Sequence, residues 1–154
     1  MPTLPATASR ISRNTAGAVN RRIGEQIERN VAFMAANPER IDQRLRELDA
    51  EWDTERVLEA NAATLALGGT VLGILEDRRF LALPVVVTAF LLQHALQGWC
   101  PPLPIIRRLG VRTTEEINRE RTALKALRGD FVAIGQAATA DPRAQAEAAV
   151  RAAT

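Results

Sequence analysis

The sequence predicts an all-α protein: a two-helix transmembrane hairpin flanked by amphipathic cytoplasmic helices. Alanine, leucine, arginine and glutamate dominate the 154 residues, a composition that favours helix over strand. β-branched residues cluster only at Val85, Val86, Val87 and Thr88. Apolar residues concentrate in two segments, 57–75 ("VLEANAATLALGGTVLGIL") and 80–98 ("FLALPVVVTAFLLQHALQG"), separated by the charged run EDRR. Each segment has 19 residues; an α-helix of that length spans about 28 Å, against roughly 30 Å for a bilayer core.

Composition narrows the function classes. The net charge of +2 comes without a dense basic run, so no nucleic-acid partner is expected. A single cysteine excludes an internal disulfide and a cysteine-based zinc cluster. Aromatic residues make up only 4% of the chain and tyrosine is absent, whereas soluble cores lean on aromatics for buried area. The opening "MPTLPATASR" has no apolar signal core.

Residues 1–15 read as a flexible N-terminus and residues 16–56 as amphipathic charged helices. Val19, Ile23, Ile27 and Val31 recur every fourth position, which predicts a helix over 16–35. Asn37 caps the next helix, Pro38 suits its first position and Glu39 its positive dipole end. There Ile41, Leu45, Leu48 and Trp52 form an apolar stripe on a highly charged helix. Such a seam lies on a membrane surface or pairs with another helix, in an oligomer for example. Asp53 or Thr54 recaps the chain before the first apolar segment; one continuous helix over 38–75 is the competing geometry.

Residues 57–98 form the hairpin. Its polar residues Glu59, Asn61, Gln93, His94 and Gln97 all fall at the end away from EDRR, and Trp52 and Trp99 bracket that end, as an interfacial aromatic pair would. Neither segment has the polar stripe that a surface helix in water needs. The alternative is a buried soluble hairpin, since the strictly apolar runs span only 62–75 and 80–92. Ala62, Ala66, Gly69 and Gly73 make one small-residue face, suited to close packing against the second segment or a second copy. Pro84 falls in the first turn or so of its helix, where a missing N–H costs little. With the turn centred near 77–78, Asn61 lies level with His94 and Glu59 with Leu96. Glu59, Asn61, His94 and Gln97 then form an interfacial polar cluster, mutually hydrogen-bonded or handling a ligand or proton. Arg40, Arg44, Arg46 and Arg56 precede the hairpin, Arg107, Arg108 and Arg112 follow it, and only Arg78 and Arg79 occupy the turn. This asymmetry places both termini in the cytoplasm.

Residues 99–131 read as an interfacial Cys-Pro turn and an amphipathic helix. Prolines at 101, 102 and 104 end the second segment. Thr113 and Glu116 form a capping box, Gly129 is a stop, and Ile117, Leu124, Leu127 and Phe131 make the apolar face. Arg119, Arg121, Lys125 and Arg128 face anionic headgroups or solvent. In the alanine-rich tail, 132–154, Asp141-Pro142 starts a last helix.

The stretch "GWCPPLPIIRRLGV" carries a resemblance. A helical hairpin ending in Gly-x-Cys-Pro, followed by apolar residues and Leu-Gly, resembles the YgaP-like transmembrane domain family of bacterial inner-membrane proteins. The matching residues are Gly98, Cys100, Pro101, Leu109 and Gly110, and the resemblance covers roughly residues 57–112. It implies a two-helix hairpin of unknown function in the inner (cytoplasmic) membrane, in some members fused to a rhodanese domain. This chain departs from the pattern in its second proline, in two arginines before Gly110 and in its long charged flanks, and it has no rhodanese domain.

His94 and Cys100, the only histidine and cysteine, stand six positions apart. On a continuous helix their side chains point about 120° apart and meet only if the chain bends at Gly98. No catalytic residues, metal ligands or cofactor are therefore expected, and no enzyme activity. Cys100 alone is a thiol candidate, packed, lipidated or loaded with sulfur. The expected function is a non-enzymatic membrane anchor or assembly module whose partners are the bilayer and a second copy or another membrane protein. The alternatives are a sulfur relay with Cys100 as persulfide acceptor, which the resemblance suggests, and a soluble helical interaction protein.

Overall fold

The structure is a computed structural model that describes residues 6–137 and 141–153. Among the described residues every regular element is helical. The chain divides into two compact units, Met1–Gly24 with Trp52–Glu115, and Glu25–Glu51 with Glu116–Thr154. The α-helices in order are α1 (Arg10–Arg13), α2 (Gly17–Ala36), α3 (Ile41–Ala50), α4 (Thr54–Leu75), α5 (Ala82–Gln97), α6 (Leu103–Arg108), α7 (Thr114–Arg128), α8 (Val132–Ala137) and α9 (Pro142–Ala153).

The first unit is organised by the hairpin α4–α5. The helix over 38–75 is not continuous: residues 51–53 are non-helical, and the Asp53 side chain accepts the Arg56 N–H at 2.8 Å to cap α4. Thr54 pins this start, its N–H and hydroxyl both donating to the Arg112 carbonyl at 2.8 and 2.9 Å. Asp77 caps the 3-10 turn Arg78–Leu81 that leads into α5. The small-residue face packs within the hairpin. A methyl group on Gly69 would lie 2.7 Å from Cδ of Pro84 and 3.0 Å from Cβ of Leu83, and one on Gly73 would meet Leu81. This register runs a residue or more short of the one a turn at 77–78 predicts, in keeping with the 3-10 turn Arg78–Leu81, which climbs further per residue than an α-helix.

Gly98 ends α5 in the left-handed region at φ +74°, its N–H bonded to the His94 carbonyl at 2.7 Å, an αL cap that suits glycine. A side chain there would also strike the Arg10 backbone at 2.7 Å. Gly110 does the same for α6 at φ +92°; its N–H bonds Arg107 O and the Val111 N–H bonds Ile106 O. The two glycines of the Gly-x-Cys-Pro and Leu-Gly motif are thus both helix terminators. The arm expected to be loose through residue 15 instead carries a 3-10 turn, Thr7–Ser9, and α1. Its Ile11 enters a core with Leu58, Cys100, Leu103 and Ile106. Arg107 is only 1% exposed. It donates to Thr15 Oγ1 (3.1 Å), Asn20 Oδ1 (3.1 Å) and Val111 O (2.8 Å), holding the chain that leads into α2.

The second unit has its own core of Ile41, Leu45, Leu48, Ile117 and Leu124, with Val31 and Met34 packed against it. This corrects the expectation of an intermolecular or membrane-surface seam. Ile41, Leu45 and Leu48 are buried because α7 and α2 supply matching apolar faces within the chain, and only Trp52 of that stripe stays exposed. The cations of α7 are likewise engaged. Arg121 pairs with Asp49 at 2.9 Å, Arg128 with Asp42 and Asp130, and buried Lys125 donates to Ala152 O. Fully buried Glu120 accepts from Arg44 Nε at 2.8 Å and Asn30 Nδ2 at 3.3 Å. A Schellman ending at Gly129 stops α7, with the Asp130 N–H on Lys125 O. The Asp141-Pro142 start of α9 is observed, Arg143 N–H bonding Asp141 Oδ1 at 3.1 Å. Of the alanine-rich tail, residues 138–140 and 154 lie outside the described residues.

Candidate thiol site at the open end of the hairpin

The site is built at the end of the hairpin away from its turn. Because α5 stops at Gln97 and Gly98 turns the chain, the helical projection that separates His94 from Cys100 does not apply. Pro101 and Pro102 hold the next turn, where the Leu103 N–H donates to Cys100 O at 3.1 Å. The thiol returns against the last turn of α5, close enough to interact with the His94 imidazole. Both side chains are buried, His94 3% and Cys100 4% exposed.

Glu55, in the first turn of α4, completes the group. Its Oε2 lies 3.5 Å from His94 Nε2, an ion-pair distance without hydrogen-bond alignment; neither imidazole nitrogen makes an aligned hydrogen bond. The other oxygen, Oε1, accepts from Arg10 Nη2 at 2.6 Å, while Arg10 Nη1 donates to Ala95 O at 3.3 Å. Glu55 precedes the first apolar segment by two residues. The adjacent His94, and after it Arg10, hold its carboxyl down at about 2 against the raising effect of burial.

Beside this group lies a cavity of about 320 Å³ between α4, α5 and α6. Leu58, Leu65, Phe90 and Ile105 are among its apolar walls; Asn61, His94 and Cys100 mark its polar positions. A thiol beside an imidazole that is itself paired with a carboxylate is the arrangement that generates a thiolate. No backbone N–H follows the sulfur for two residues, since both are prolines.

Of the expected polar cluster, the structure brings buried His94 and exposed Asn61 to one cavity, whereas Glu59 and Gln97 are exposed and do not line it. Asn61 donates within its own helix to Val57 O at 2.8 Å. Gln97 contributes only its backbone carbonyl, which accepts from Asn14 Nδ2 at 2.9 Å. The carboxylate partner of His94 is Glu55, one helical turn before Glu59. Of the small-residue face, Ala62 lines the cavity, Gly69 and Gly73 meet α5's end of the hairpin, and Ala66 is half-buried between them. Among the described residues no cluster of three or more His, Cys, Asp or Glu side chains is placed to hold a metal ion. No protein family, curated protein or solved structure was found to match the chain.

Proposed function

We propose that the chain is an integral membrane protein, a hairpin that anchors cytoplasmic helices to the bilayer as a non-enzymatic anchor or assembly module. One observation carries this reading: the apolar hairpin faces outward. Two helical stretches among the described residues are long and apolar enough to cross a membrane, yet only 17% and 6% of their most apolar windows are buried. Leu67, Ile74 and Val85 are 67%, 74% and 67% exposed. A soluble monomer rarely exposes a continuous apolar surface of this kind, and a core helix would be covered. Lipid is the solvent that fits.

Further features agree. Thr64, Thr70 and Thr88 return their hydroxyls to carbonyls one turn back, Ala60, Ala66 and Pro84, which satisfies them without water. Trp52 and Trp99 are exposed at the open end, suited to a headgroup layer. The arginine asymmetry supports a cytoplasmic location for that end and both termini, and the resemblance to the YgaP-like family favours the bacterial inner membrane. With Gly69 and Gly73 occupied inside the hairpin, assembly with a second copy or another membrane protein would use the outward faces of α4 and α5.

Alkaline carbonate washing of membranes from an expressing bacterium tests the reading. The full-length chain is expected to stay in the pellet, and trypsin added outside spheroplasts to cut at Arg78 or Arg79. Release of the chain by carbonate would overturn the anchor; cleavage confined to inverted vesicles would overturn the orientation.

A further inference from the structure

We propose that Cys100 is an acyl-acceptor thiol: with His94 as its base it takes a long acyl chain from an acyl thioester, and the chain comes to lie in the apolar cavity between α4, α5 and α6. This goes beyond anchoring and does not depend on which way the hairpin is oriented.

Two independent observations meet here. One is the imidazole, buried yet among the residues that line the cavity, with the Cys100 thiol beside it and Glu55 at ion-pair distance but no aligned hydrogen bond at either nitrogen; it is placed to take the thiol proton. The other is the cavity, with a volume within the range of small-molecule sites and walls that are mostly hydrocarbon. Polar electrophiles gain nothing from such walls. Each buried methylene favours occupancy about fourfold, so the lining selects a long chain. Glu55 positions the imidazole and is itself fixed by Arg10.

The step balances without an oxidant or reductant. His94 accepts the thiol proton. The Cys100 thiolate attacks the thioester carbonyl carbon and forms a new carbon–sulfur bond. The carbon–sulfur bond to the donor breaks, and the departing thiolate takes the proton from the imidazolium. Transfer and subsequent hydrolysis both pass through an oxyanion, and Pro101 and Pro102 supply no N–H to stabilise one, which slows the two steps alike. The apolar walls keep water away and so hold back hydrolysis alone. The acylated thiol therefore accumulates as a lasting modification, one per chain, and does not turn over.

The test uses the full chain in lipid nanodiscs with hexadecanoyl- or acetyl-coenzyme A, read by intact mass with and without hydroxylamine. One hydroxylamine-labile hexadecanoyl group is expected on Cys100, none in Cys100→Ser, and faster labelling by hexadecanoyl than by acetyl donor. Ala62→Phe, which fills the cavity, is expected to bring the hexadecanoyl rate down toward the acetyl rate. His94→Gln is expected to slow labelling roughly 100-fold at neutral pH and to recover as the pH is raised and the thiol ionises unaided; that recovery distinguishes a lost base from a lost fold. Absence of the adduct, a chain preference untouched by Ala62→Phe, or a rate indifferent to His94→Gln would each overturn the proposal. A chain that stays in carbonate-washed membranes but does not label refutes the acceptor and leaves the anchor standing.

Discussion

The site at the open end of the hairpin turns on Glu55, which faces the Arg10 guanidinium with one oxygen and the His94 imidazole with the other. Its carboxyl titrates at about 2 when folded, against 4.5 for a free glutamate, because the ionised form is held by His94 and then Arg10. A depressed folded value means that the ionised carboxylate contributes stability above pH 4.5 and loses it as the pH falls through 4.5 toward 2. The difference in thermal midpoint between the parent chain and Glu55→Gln, measured in detergent, should be largest above pH 4.5 and shrink to nothing near 2. A difference independent of pH would mean that the charge is not what Glu55 contributes. His94 and Asn61 were legible in the sequence because polar side chains stand out in an apolar segment. Glu55 was not. It sits in the ordinary charged run "DTER", and nothing local distinguishes it from Glu59. Arg10 was beyond reach, since its partners Glu55 and Ala95 lie 45 and 85 positions away.

At the scale of elements, hydropathy placed the two apolar segments, and Gly129 was readable as a stop, because both act locally. The break at Asp53 was one of two geometries the sequence left open, and the stops at Gly98 and Gly110, read there as the work of the prolines or not at all, rest on the same local φ preference. Pairing between distant elements does not. The stripe Ile41, Leu45, Leu48 announced a partner without naming it, and the partner proved to be the chain's own Ile117 and Leu124. The hairpin contact separates adjacent glycines. Gly69 faces Pro84 and Leu83, whereas Gly68 has nothing within 4 Å of an added methyl group. The rigid proline ring cannot yield, so Gly69→Ala should destabilise the hairpin by about 1–3 kcal/mol. Gly68→Ala should be neutral or stabilise by up to about 1 kcal/mol through helix propensity. Denaturant midpoints in micelles compare the two, and equal losses would mean that this face does not pack against α5's end of the hairpin.

For the whole molecule, the all-α class and the hairpin were readable from composition and apolar clustering. The division into two units was not, since each gathers segments that are far apart in sequence. The second unit is charged at its surface and closed around its own core, with Leu124 fully buried at the centre. Its stability therefore comes from ordinary water-driven burial, whereas the outward side chains of the hairpin gain nothing from water. A cavity made in that core should be felt there first. Leu124→Ala removes three buried heavy atoms from a closed site and should cost about 2–5 kcal/mol. Hydrogen exchange in nanodiscs should then speed up across Ile41–Ala50 and the α7 residues 117–128, while 57–97 keep their protection, because lipid and internal helix bonds hold those amides whatever the state of the second core. Unchanged exchange at Ile41–Ala50 would show that Leu124 is not the keystone of that core. Loss of protection in the hairpin to the same extent would show that the hairpin depends on the second core for its fold, and that lipid alone does not sustain it.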